Sequence, residues 1–237
     1  MLHNLCVMKE SNHLFIGKQF NYLNSFSETE KEVLVEHCNL IKIKKDEVVF
    51  FEKERLKQLY SIFEGACKFT FIDEKGKEHI TKILGKGDIM GRRSIITNKG
   101  ALVTATAISD TVIFSLSKNI ILQSLQTNND FCQDVLKGFI VDTEDETEKI
   151  SYFQNNRKLN IRLAGLLLYL SKKFGTENKG WLNISLKRKD MANILGTTSE
   201  YVISLLSSFK EKNYLSIQRD KIKINSNIAL QSLINSK

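Results

Sequence analysis

The chain has 237 residues, 42% of them hydrophobic and 26% charged, with 35 Lys/Arg against 27 Asp/Glu for a net charge of +8. That balance belongs to a soluble globular protein and excludes a disordered chain, and the length suits two domains, each with its own core. No apolar run can span a bilayer, and the start, MLHNLCVMKESNHLF, has no basic region followed by a small-residue cleavage site, so a cytoplasmic protein is expected.

The charge is unevenly placed. Residues 155–237 hold 15 Lys/Arg and 5 Asp/Glu, a balance of +10, which leaves 20 and 22, or −2, for residues 1–154. A basic module joined to a neutral one points to a polyanionic partner for the C-terminal part. Cys6, Cys38, Cys67 and Cys132 lack C-x-x-C spacing and read as reduced, mostly buried thiols; His3, His13, His37 and His79 are too dispersed for a metal site.

In chain order, Ser27 and Glu30 form a capping box that starts a helix over about 28–38. From Leu40 to Ser117 the pattern turns to short β-rich runs: LIKIKK, EVVFFE, QLYSIFEG, CKFTFID, HITKIL, VTATAI and TVIFSL. Turn signals lie between them, at Glu74 to Lys77, Gly85 to Asp88, Asn98 to Gly100 and Ser109-Asp110. Many short, closely spaced strands predict a β-sandwich or jelly-roll-like β-roll. With no proline in the chain, Gly, Asn and Asp are left to make the tight turns.

Helix returns with SKNIILQSLQTN, followed by a long helical stretch over about 128–158. There Leu136, Phe139, Thr143, Glu146, Ile150, Phe153 and Arg157 alternate at spacings of three and four, the seam of a two-stranded coiled coil, so a homodimer is expected. An amphipathic helix packed on its own domain is the plainer alternative. Two Glu146 carboxylates facing across such a seam would repel or share a proton. The last third reads as a Leu-dense helix over 158–175, a turn, a short strand WLNISL, two helices split at Gly196, and a hairpin YLSIQRDKIKIN turning at Arg219-Asp220.

The helix pair carries the chemistry. Met191, Ile194 and Leu195 form the inner face of its first helix, and Gly196 the turn. Thr197 or Thr198 can cap the second helix, whose Val202, Leu205, Leu206 and Phe209 return to the core. Thr198, Ser199, Glu200, Tyr201 and Ser204 lead outward, and a Glu there can accept from the N4 amino group of cytosine. Lys187, Arg188, Lys189 and Lys210, with Lys212, Lys221 and Lys223 beyond, suit phosphate contact. A helical hairpin with a solvated basic face is the alternative.

The segment LKRKDMANILGTTSEYVISLLSSFKEKNYLS, in its Asp190, Ala192, Gly196, Glu200, Val202 and Leu205-Leu206 positions, resembles the winged helix-turn-helix signature of the Crp/Fnr family of bacterial transcription regulators. GKGDIMG, Gly85 to Gly91, is similar to the family's roll turn before its effector cassette. The resemblance runs from about Leu23 to Asn225. It implies an α+β architecture: a sensor roll over 1–127, a dimerisation helix over 128–158 and a winged helix-turn-helix over 159–237. It also implies a dimer bound to near-palindromic double-stranded DNA, with RNA polymerase as a further partner.

The departures matter. Family members that bind cyclic AMP carry a Glu after the cassette glycine and an Arg-Ser pair beyond it. Here Arg92 and Arg93 follow Gly91, and the later place reads Lys99-Gly100-Ala101-Leu102. Cyclic AMP is therefore not the expected effector, and one N-terminal cysteine, Cys6, does not suit the iron-sulfur branch of the family. An effector pocket, if one exists, is placed at Gly91, Arg92, Arg93, Ser94, Lys99, Glu146 and Thr147, where the arginines would recruit an anion. Ser199 and Ser204 stand where members often place reading arginines. No nucleophile-base pair, metal cluster or phosphate-cradling loop points to an enzyme, and neither cofactor nor metal is expected. The competing class is a metabolite-binding signalling module whose basic domain docks an acidic protein.

Overall fold

The structure, a computed structural model, describes residues 25–235 apart from 28–29, 32–33, 35, 141–157 and 178–179. Two compact units divide the chain, Met1–Phe71 with Lys82–Asp142, and Ile72–Thr81 with Thr143–Lys237.

The first unit opens on the expected capping box. Glu30 N–H donates to Ser27 Oγ at 3.3 Å, while Ser27 N–H donates to the Glu30 carboxylate at 2.8 Å. The helix after it stops short of its expected end, because Cys38 pairs with Leu116 as the first residue of β1 (Cys38–Ile43). There follow β2 (Val48–Phe50), β3 (Gln58–Glu64), β4 (Cys67–Ile72), β5 (Glu78–Leu84), β6 (Ile89–Met90), β7 (Thr104–Ala107) and β8 (Thr111–Ser117). They form two four-stranded sheets, ordered β1-β8-β3-β6 and β2-β7-β4-β5. Leu59, Ile62, Cys67, Ala105, Ala107 and Ile113 belong to one buried core, and period-two alternation is clearest in β7, where buried Ala105 and Ala107 alternate with half-buried Thr104 and Thr106.

Cys67 sits in that core, and burial pushes its thiol up to about 12; Cys38 is likewise pushed up to about 12. A thiol that does not ionise is not a nucleophile. Cys67 is thus expected to resist iodoacetamide at pH 8 in the folded chain and to react once guanidinium unfolds it, which peptide mapping by mass spectrometry reads directly. Alkylation of Cys67 as fast as in the unfolded chain would contradict its placement.

Two short elements of this unit had no sequence signal: β6 and the helix α1 (Arg92–Thr97). After β8 come α2 (Lys118–Thr127) and α3 (129–140), parted at Asn128, whose Oδ1 accepts from Phe131 N–H at 2.9 Å. On α3 Leu136 and Ile140 are 58% and 60% exposed, and Phe139 is half-buried. The other seam positions, Thr143, Glu146, Ile150, Phe153 and Arg157, lie outside the described residues, as does Thr147.

In the second unit, α4 (Leu159–Phe174) buries Leu163, Leu166, Leu167 and Leu170 on one stripe. Then come α5 (Arg188–Leu195), α6 (Ser199–Glu211) and the antiparallel wing β9 (Leu215–Gln218) and β10 (Lys221–Ile224). The closing helix α7 (Asn227–Asn235), which packs on α4, was not anticipated. Nor is WLNISL the expected strand: it makes isolated bridges, Trp181 to Lys223 and Leu182 to Thr176. Leu182 N–H reaches Ile222 O at 2.9 Å, but Asn183 N–H donates back to Gly175 O at 3.2 Å and its side chain to Phe174 O, drawing the chain off the wing. The wing turns at Arg219-Asp220 as expected, although Arg219, rather than Gly, Asn or Asp, takes a positive φ of 54°.

Candidate nucleic-acid interface

The helix-turn-helix is built from local rules. Gly196 ends α5 in the left-handed region at φ 63°, where L side chains are strained. Thr198 was one of two candidate caps, and it is the one used: its Oγ1 accepts from Tyr201 N–H at 3.3 Å. Thr198→Ala is expected to lower the stability of this unit by about 1 kcal/mol, read as a shifted urea midpoint with an unchanged slope; an unshifted midpoint would show the cap to be idle.

From there α6 sets Val202, Leu206 and Phe209 into the core and turns Glu200, Ile203, Ser204, Ser207 and Lys210 outward. Ser199 and Thr197 are half-buried at its start, and Tyr201 is 48% exposed. Hydrogen bonds to its own backbone N–H and to the Thr198 hydroxyl hold the Glu200 carboxyl below the usual range, so it is an ionised acceptor. The structure thus brings Thr198, Ser199, Glu200, Tyr201, Ser204 and Lys210 onto one helix, with Lys187 and Lys189 exposed at the start of α5.

Two arginines do structural work that spacing did not show. Arg188, considered for phosphate contact, donates through Nη2 to Arg219 O at 3.2 Å and so braces the wing turn. Burial pushes its pKa below the ordinary value, partly offset by Asp220. Arg162, from α4, donates to Leu195 O at the C-terminus of α5, where carbonyls lack helical partners and the helix dipole is negative. A lone Arg in the Leu-dense helix was the only signal for it.

In the roll, Gly91 stands at φ 90° before α1. Ser94 is buried, its hydroxyl accepting from Leu56 N–H at 3.2 Å and donating to Lys99 O at 2.6 Å, a clasp on the loop. Arg93 and Lys99 are exposed, whereas the Arg92 guanidinium lies 5.1 Å from the Phe139 ring centroid. A candidate effector residue thereby meets a candidate seam residue. Beside Arg92 an apolar cleft of about 30 Å³ is lined by Leu59, Ile95, Leu116, Ile121, Phe131 and Val135; that is room for roughly one water molecule. Among the described residues no cluster of His, Cys, Asp and Glu is arranged to hold a metal, and no helix is long and apolar enough to cross a membrane.

A double-sheet roll in one unit and a winged helix-turn-helix in the other define the class: a regulator that joins a sensor-type roll to a DNA-binding module. Residues 40–128 match the family description Cyclic nucleotide-binding domain, and residues 161–233 match Crp-like helix-turn-helix domain. The chain belongs to the Crp/Fnr family of transcription regulators. It is 27% identical over 193 residues to the global nitrogen regulator of Synechocystis sp., covering 78% of this chain and 84% of that one. It is 26% identical over 195 residues to the fumarate and nitrate reduction regulatory protein of Yersinia pestis, covering 81% and 76%. Among solved structures, FixK2 from Bradyrhizobium japonicum aligns with a TM-score of 0.74 at 18% identity, over 83% of this chain and 96% of that one. A crp/fnr-family regulator from Eubacterium rectale aligns with a TM-score of 0.72 at 19% identity, over 92% and 100%. At those identities the structural likeness speaks for the fold.

Proposed function

We propose that the chain acts as a homodimer in the cytoplasm, binds near-palindromic DNA in a sequence-specific manner, and contacts RNA polymerase from there. Residues 1–127 form the sensor, 128–158 the dimerisation segment and 159–237 the DNA-binding domain. The observation that carries this reading is the outward face of α6: a Thr-capped helix with an ionised Glu200 in its first turn, small Ser204 and Ser207 behind it and Lys210 in its last turn. Such a face suits a major groove, with Glu200 accepting from cytosine N4 and the lysines gripping phosphates. Two such helices on a two-fold would enter successive major grooves about 34–36 Å apart.

The roll responds to an anion other than cyclic AMP. Supporting this, Arg92 stands where nucleotide binders need an acid, and it already meets α3 through Phe139. An anion that drew Arg92 away would alter α3 directly, which gives occupancy a route to the dimer. The chain carries out no catalysis.

Selection from random duplexes tests the reading. Wild type is expected to enrich one near-palindrome; Glu200→Ala should relax one position of each half-site by roughly 1–3 kcal/mol, while Lys210→Ala should weaken all duplexes alike and lower the salt slope by about one. Equal affinities, site preferences and salt slopes for all three proteins would remove the assigned roles.

A further inference from the structure

Large apolar side chains left exposed in the described part of residues 158–235 are few: Tyr201 at 48%, Ile203 at 51% and Ile228 at 80%. Two of the three sit in the leading half of α6, where the core needs neither. Val202, Leu206 and Phe209 already fill the inward stripe. Ile203 is instead a neighbour of Glu200 at i−3 and of Ser207 at i+4, adjacent to Ser204, in an otherwise polar patch. A β-branched residue there weakens the helix relative to Ala and exposes an aliphatic surface to water.

The chemistry of that side chain restricts what it can meet. It has no donor or acceptor, so it cannot pair with a base nitrogen or oxygen, and it cannot grip a phosphate. The floor of a major groove presents one apolar group, the C5 methyl of thymine. Three residues of helix advance about 4.5 Å, close to the roughly 3.4 Å of one base step. We propose that Ile203 reads a thymine methyl one base step from the pair that Glu200 reads. This role rests on the reading of α6 as the DNA-reading helix. It makes the half-site reader of this chain a mixed one: a carboxylate for an amino group, an aliphatic surface for a methyl, and small serines where longer donors would hold the helix away from the groove floor.

The methyl can be removed without touching the protein. In the duplex selected by wild type, each thymine in turn is replaced by deoxyuridine and the Kd measured. Wild type is expected to lose about three- to tenfold at one thymine of each half-site, a step from the position relaxed by Glu200→Ala. Ile203→Ala should bind the thymine and deoxyuridine duplexes alike, Ile203→Val should keep part of the penalty, and Lys210→Ala should keep all of it. The Ile203 side chain is half-exposed and outside the core, so matched thermal melts check that the variants fold. A wild type indifferent to every deoxyuridine, or an Ile203→Ala variant with the wild-type penalty, overturns the role of Ile203 while leaving the DNA reading in place. A pool from which wild type selects no site overturns the DNA reading and this role with it.

Discussion

Gly65→Ala is expected to destabilise the roll by about 2–5 kcal/mol, lowering its melting temperature by roughly 10 °C. Gly65 turns the corner between β3 and β4 at φ 87°, and an added Cβ would lie 2.5 Å from Asp110 O, 2.5 Å from Thr111 Oγ1 and 2.8 Å from Thr111 Cα. Two of those atoms are backbone, and the third is pinned. The Thr111 hydroxyl accepts from Ala66 N–H at 3.2 Å and contacts Ser109 O at 2.9 Å, and Ile108 N–H donates to Ala66 O at 2.9 Å. The β3–β4 corner is therefore bolted to the β7–β8 corner, and neither can recede without breaking buried hydrogen bonds. Gly76 separates the two contributions: it turns the β4–β5 hairpin at φ 76°, and a methyl added there would meet nothing within 4 Å. Gly76→Ala should lose only the backbone share, about 1 kcal/mol. Differential scanning calorimetry of both variants is the measurement, and equal losses would show that backbone strain, not crowding, governs the Gly65 corner.

The Ser27–Glu30 box, the roll strands, the break at Gly196 and the Arg219-Asp220 wing turn were legible in the sequence because each is set by residues within a few positions of one another. What stayed hidden depends on distant partners. RRSIIT is too short to show a helical period, and α1 stands because Ser94 is clasped by Leu56 and Lys99 while Ile95 is buried. WLNISL alternates like a strand, yet the hydrogen bonds of Asn183 to Phe174 and Gly175 turn it aside. Ser226 caps α7 by accepting from Ala229 N–H at 3.1 Å, but the helix rests on α4, a partner distant in sequence. At the site the same division holds. Spacing placed Glu200, Ser204 and Lys210 on one helix, but a count of positive charges cannot tell a cation that grips phosphate from one that braces a turn. Arg188 and Arg162 belong to the second kind because carbonyls at Arg219 and Leu195 lie within their reach.

The exposed apolar face of α3, where Leu136 opens the expected seam and Ile140 lies beside it, carries the other large effect. Leu136→Asp combined with Ile140→Asp is expected to convert the proposed dimer to monomer at micromolar concentration and to weaken binding to the proposed palindrome by about 10²–10⁴-fold, with half-site binding unchanged. Both side chains are more than half exposed on α3, four residues apart and so on one face, and neighbouring Phe139 carries the Arg92 guanidinium over its ring. Their loss costs the roll little, because its core lies elsewhere, at residues such as Ile113 and Cys67. In a dimer, however, each substitution occurs twice about the two-fold, so four apolar side chains leave the interface and four carboxylates meet near one axis, where like charges in a partly dry contact repel strongly. Binding DNA with one recognition helix instead of two then forfeits the effective concentration that linkage provides, and that factor dominates the affinity for a palindrome. Sedimentation equilibrium gives the assembly state, and gel shifts on palindrome and isolated half-site give the two affinities. A double variant that stays dimeric, or a monomer that holds the palindrome as tightly as wild type, would place the dimer contact off this face of α3 or remove the need for a dimer altogether.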